Sequence, residues 1–76
     1  MPHVIVKLME GRSESQKVAI ADAVVRAVVA SAQCAESAVS VSIEDIAAGE
    51  WTDKVFQPDI AAKPEQLYKK PGYDPF

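Results

Sequence analysis

The chain is short of the groups that usually staple a small protein together. It has one cysteine, Cys34, and one histidine, His3, in 76 residues. A single cysteine excludes an intramolecular disulfide, and one histidine with one distant cysteine makes no metal-ligand cluster. A chain of this length without either staple buries little surface and needs a partner chain. Basic residues are also scarce, eight against eleven acidic, for a net charge of −3. The pair Lys69-Lys70 is too short for a nucleic-acid stripe. The longest apolar stretch, Val18 to Ala32, is interrupted by Asp22 and Arg26 and predicts no membrane span. The start Met1-Pro2-His3 lacks the basic and apolar regions of a signal peptide. With the lone cysteine, these absences predict a cytoplasmic protein.

The residues present describe one domain, 1–76, with a core over 2–46 and short pieces over 47–76. Val4, Val6 and Leu8 alternate with His3, Ile5 and Lys7, which predicts a strand with two unlike faces. Gly11-Arg12-Ser13 ends it. Ser13-Glu14-Ser15-Gln16 reads as a capping box opening a helix from about Glu14 to about Ala32. Val18, Ala21, Val25, Val28 and Ala32 recur at spacings of three and four, widened by Val24 and Val29, and predict the face that meets a sheet. Valines are poor helix formers, so packing has to hold this helix. Val39-Ser40-Val41-Ser42-Ile43-Glu44 alternates again and predicts a second strand.

Strand, helix and strand make an α/β chain, a single β-α-β unit with parallel strands and a right-handed crossover. Two strands are an inadequate sheet. The helix covers one face, and nothing evident in the sequence covers the other, so the pattern predicts completion by oligomerisation. Beyond Ala47-Ala48-Gly49, short helical segments are expected near Trp51–Phe56 and Pro64–Lys69. Pro58 fits a first helical turn better than an interior. The tail carrying Tyr68, Tyr73 and Phe76 is expected to be extended and to lie on a partner subunit.

Pro2 is the position with chemical promise. Without the initiator Met1 its nitrogen is a secondary amine, held in a ring at the start of a strand. An apolar pocket disfavours its charged form and moves its pKa toward neutrality, where a general base works best. An ordinary Met-Pro start is the plain alternative. Arg12 suits a carboxylate clamp, an ordinary loop arginine, a helix-end contact or a partner for Glu10.

Pro2, the segment Leu8-Met9-Glu10-Gly11-Arg12-Ser13-Glu14-Ser15-Gln16-Lys17 and the later Val39-Ser40-Val41-Ser42-Ile43 resemble the 4-oxalocrotonate tautomerase family over roughly residues 2–51. Pro58-Asp59-Ile60 and Leu67 to Tyr73 are similar to its longer-tailed bacterial members, the PptA-type tautomerases. The resemblance implies a cofactor-free isomerase that moves a proton between enol and keto forms of a small carboxylic acid. It implies Pro2 as base and then acid, Arg12 as the carboxylate grip, and Trp51, with Phe56 as a weaker candidate, as an apolar wall. It implies a homo-oligomer, a dimer rather than a hexamer. Ser40 stands where the hexameric enzyme has a second arginine, which favours a monocarboxylate such as an aryl pyruvate; Lys69, Lys70 or Tyr73 could supply the missing donor. Two alternatives remain open: a non-catalytic oligomeric binding or scaffold member, and a hydratase, dehalogenase or decarboxylase using the same Pro2.

Overall fold

The computed structural model describes residues 1–74; the expectation for Phe76 lies outside them. Strand β1 (His3–Met9), helix α1 (Glu14–Ala32) and strand β2 (Ser40–Ile46) form a β-α-β unit, and the two strands pair in parallel. The register runs from His3 opposite Ser40 to Met9 opposite Ile46. Pro2 precedes the first rung, so the sheet loses nothing to its missing N–H. Instead its carbonyl accepts from the Ser40 N–H at 3.2 Å. At the other end the Glu10 N–H donates to the Ile46 carbonyl at 2.9 Å.

Gly11 turns the chain out of β1 with φ of +123°, a conformation that side chains disfavour. Ser13 then caps α1 as its sequence predicts. Its hydroxyl accepts from the Gln16 N–H, and the Gln16 side chain accepts from the Ser13 N–H at 2.8 Å. Lys17 joins the helix to β2 through Asp45 and also pairs with Glu14 in its own first turn, both at 2.9 Å.

The helix face differs in detail from its sequence pattern. Lys17, Ile20, Ala21, Val24, Val25, Val28 and Val29 are half-buried, whereas Val18 is 58% exposed and Ala32 is exposed. A two-stranded sheet is too narrow to cover both edges of a wide apolar stripe, and the stripe's outlying members stay in solvent.

The C-terminal part departs further from expectation. After single 3₁₀ turns at Glu36–Ala38 and Ala48–Glu50, residues Thr52–Ala61 wind as a π-helix with Pro58 inside it. In an α-helix that proline would remove a hydrogen bond and clash with the carbonyl four residues back. Here the chain is wound more widely, with bonds of the i→i+5 type such as Ala62 N–H to the Gln57 carbonyl. A last 3₁₀ turn covers Pro64–Gln66.

This helix covers part of the second sheet face, for which the sequence offers no evident cover. Asp59 pairs with Lys7, and a cleft lined by Ile5, Lys7, Val55, Asp59, Lys63 and Leu67 lies between helix and sheet. Val55 and Phe56 are the buried residues among those described, at 5% and 8% exposure. Ile5 and Met9 of β1 remain 55% and 42% exposed. No helix among the described residues is long and apolar enough to cross a membrane.

Two predictions follow from these contacts. Ser13→Ala should lower stability by about 1 kcal/mol, read as a lower denaturation midpoint at fixed chain concentration. The second concerns Lys7, whose hydrogen bond to Asp59 raises its pKa above the ordinary 10.5. That contribution is complete below the ordinary value and is lost as pH climbs through the raised one. In alkaline solution wild type should therefore lose stability more steeply than Lys7→Met, which urea titrations across that range will show.

Candidate active site

The residues singled out in the sequence fall into two groups at opposite ends of the sheet. Pro2 and Ser40 lie at its start, where the first rung of the parallel pair places them side by side. Arg12 and Trp51 follow the last rung, Met9 opposite Ile46. At about 3.3 Å per residue, the seven-residue β1 holds the groups roughly 20 Å apart. That is more than a small acid spans. One chain therefore does not bring Pro2 and Arg12 onto the same molecule.

At the Pro2 end, Met1 is attached, and its ammonium donates to the Ala38 carbonyl at 2.9 Å. With Met1 in place the Pro2 nitrogen is a tertiary amide, with no proton to give and no basic lone pair. Pro2 itself is half-buried. The Ser40 N–H is already committed to the Pro2 carbonyl. The Ser40 hydroxyl is held by His3 Nδ1 at 2.6 Å, with donor and acceptor set by the imidazole tautomer. Sequence reasoning placed His3 on a strand face without giving it a partner. Only the parallel register, which puts His3 opposite Ser40, reveals the pair.

At the other end, Arg12 is exposed, and one guanidinium nitrogen donates to the Met9 carbonyl at 3.1 Å. That contact anchors the side chain to the end of β1 and leaves further guanidinium donors for an anion. Trp51 is half-buried, and its indole N–H donates to the Tyr73 hydroxyl at 2.9 Å. The Tyr73 ring also meets Phe56, with centroids 5.8 Å apart and planes at 51°. Tyr73 thus rests on its own chain, contrary to the expectation that it needs a partner subunit. The aromatic cluster that receives it, Trp51 and Phe56, exists only once the C-terminal helix has folded. Phe56 belongs to the buried core rather than to an open wall. Tyr68, Lys69 and Lys70 are exposed.

The arrangement supplies half of a site at each end. One end has a cyclic nitrogen beside a serine–histidine pair, and the other has an arginine anchored to the Met9 carbonyl and, after β2, an indole tethered to Tyr73. Among the described residues, no three His, Cys, Asp or Glu side chains gather as metal ligands.

Comparison with known proteins agrees with the resemblance. A family model described as "Tautomerase enzyme" matches residues 2–55. A "Probable tautomerase" of Xylella fastidiosa (strain 9a5c) is 42% identical over 73 residues, covering 96% of this chain and 89% of that protein. "Tautomerase PptA" of Cronobacter sakazakii (strain ATCC BAA-894) is 35% identical over 75 residues, covering 97% and 99%. Among solved structures, TomN, a 4-oxalocrotonate tautomerase homologue in the tomaymycin biosynthetic pathway, matches with a TM-score of 0.64 and 30% identity. That match covers 66% of this chain and 77% of TomN. The β-α-β unit, its proline-led first strand and these relatives together place the chain in the tautomerase family of isomerases.

Proposed function

We propose that this protein is a cofactor-free keto–enol tautomerase for a small 2-keto carboxylic acid, working at a site shared between two copies of the chain. The observation that carries this reading is the position of Pro2 in a tautomerase β-α-β unit, at the head of β1 and beside Ser40.

The chemistry follows from one base. After Met1 is removed, the unprotonated Pro2 amine takes the proton from the enol hydroxyl. The oxygen electron pair forms the C=O bond, and the carbon–carbon double bond accepts the proton back from the prolinium. Charge grows on the oxygen and carboxylate side during transfer. Arg12 grips the carboxylate with paired hydrogen bonds. Trp51 excludes water, which keeps the Pro2 amine unprotonated near neutral pH. Ser40 lies within reach of a substrate held at Pro2, but it is a weak and neutral donor. This favours a monocarboxylate enol such as phenylenolpyruvate over a dicarboxylate.

Shared construction follows from the strand length. A two-fold axis that runs neighbouring sheets antiparallel lays the Pro2 end of one subunit against the Arg12 and Trp51 end of the other. Exposed Ile5, Met9 and Val18 and the two open sheet edges supply surface for such contact. A dimer is favoured over a larger assembly because the Thr52–Ala61 helix already occupies part of one sheet face. The half-buried, unbridged Cys34 suits the reducing cytoplasm.

Retention of Met1 would favour the other reading, a non-catalytic oligomeric scaffold, since the Pro2 nitrogen would then be an amide and not a base. Intact mass on an active sample decides between them. The expected result is a mass short by one methionine, with phenylenolpyruvate turnover that falls on the order of 100-fold or more in Pro2→Ala. A processed amino terminus without turnover overturns the tautomerase reading.

The shared site has its own test. Arg12→Ala should raise KM about 10- to 100-fold, the worth of a charged hydrogen-bonded contact. Mixed and reassembled, the Pro2→Ala and Arg12→Ala chains should recover about a quarter of wild-type activity at low substrate, because half the dimers then hold one intact site. No recovery, with subunit exchange verified by mass, would place both residues on one chain.

A further inference from the structure

The contact between Trp51 and the C-terminal tail has a use that neither residue suggests alone. An indole N–H only donates, and a half-buried one needs an acceptor. Trp51 finds it in the Tyr73 hydroxyl at 2.9 Å, 22 residues further along the chain. Tyr73 is in turn seated against Phe56, which is only 8% exposed. A hydrogen bond at the rim of the indole stops the ring from turning about its Cβ–Cγ bond. The path from Trp51 through Tyr73 to Phe56 therefore ties a half-buried surface aromatic to the rigid part of the C-terminal helix.

We propose that Tyr73 is a positioning residue for substrate binding: its hydroxyl fixes the Trp51 indole as the apolar wall, which makes the tail around Tyr73 a working part of the pocket. This rests on the reading of Trp51 as the wall of the tautomerase site. The recognised ligand class is a planar conjugated acid, held at its carboxylate by Arg12 and packed flat by the indole. A freely turning indole would still be apolar, but it would meet a flat substrate in the right orientation only part of the time, and affinity would fall by that fraction. The rate of proton transfer at Pro2, once substrate is seated, would change little.

Tyr73→Phe isolates the hydroxyl, since the ring and its packing on Phe56 are kept. Trp51 is the chain's single tryptophan, so its fluorescence reports the wall without interference. In Tyr73→Phe the emission anisotropy of Trp51 should fall, and KM for phenylenolpyruvate should rise about 3- to 10-fold with kcat within about twofold, the worth of one neutral hydrogen bond. In a Trp51→Phe background the same change should leave KM unmoved. Unchanged anisotropy overturns the proposal, and so does an equal rise in KM when Trp51 is already absent. If wild type shows no turnover, the tautomerase reading fails instead, and quenching of Trp51 by phenylpyruvate then compares the affinities directly. Equal quenching curves for wild type and Tyr73→Phe overturn the positioning role, and a weaker curve for the variant supports it.

Discussion

The parallel pairing of β1 with β2 is the constraint on which the remaining features depend. Parallel neighbours cannot be joined by a tight turn, so a crossover helix has to intervene. The same pairing sends both strands away from Pro2 and towards the loop that holds Arg12. Residues that follow β2, Trp51 among them, are then delivered to the Arg12 end as well. An antiparallel hairpin of the same strands would have returned Trp51 to Pro2. Division of the candidate site into two distant halves is thus a property of strand direction, settled before any side chain is considered.

How much of this was legible in the sequence varied with the range of the interactions involved. The alternation of Val4 to Leu8, the box of Ser13 and Gln16, and the Val39 to Glu44 alternation are local signals, and each marks an element that forms. Pro2, Arg12, Ser40 and Trp51 are candidates chiefly through the family resemblance, since no local pattern of composition or spacing gives Ser40 or Trp51 a role. Their separation was implicit in the strand length, and it emerges once the seven residues of β1 are laid out at the rise of an extended chain. Pro58 was a different case. Local rules exclude it from an α-helix interior, and only the wider winding of residues 52–61 accommodates it. Val18 and Ala32 match the helical period yet stay exposed, because periodicity describes the stripe and not the width of what it meets. The His3–Ser40 and Trp51–Tyr73 contacts bridge 37 and 22 residues. No window of sequence contains either pair.

Charge works here as stitching between elements. Lys7 reaches Asp59 on the C-terminal helix, and Lys17 reaches both its own first turn and Asp45 on β2. A fourth pair, Glu50 with Lys54, spans one turn where the C-terminal helix begins. Exposed pairs of this kind contribute little each, typically no more than about 1 kcal/mol. Their value lies in selecting one arrangement of helices on a sheet whose apolar surfaces would accept several.

The small number of buried residues has a consequence for how the protein would behave in a cell. Among the described residues Val55 and Phe56 are the buried ones and make a poor core, so in the proposed assembly most apolar burial would happen between chains. Folding and association then form a single equilibrium, and stability becomes a function of how much protein is present. Dilution would act as a denaturant. A cell that lowered synthesis of this chain would remove activity faster than it removed polypeptide, because each lost partner would also unmake the subunit it left behind.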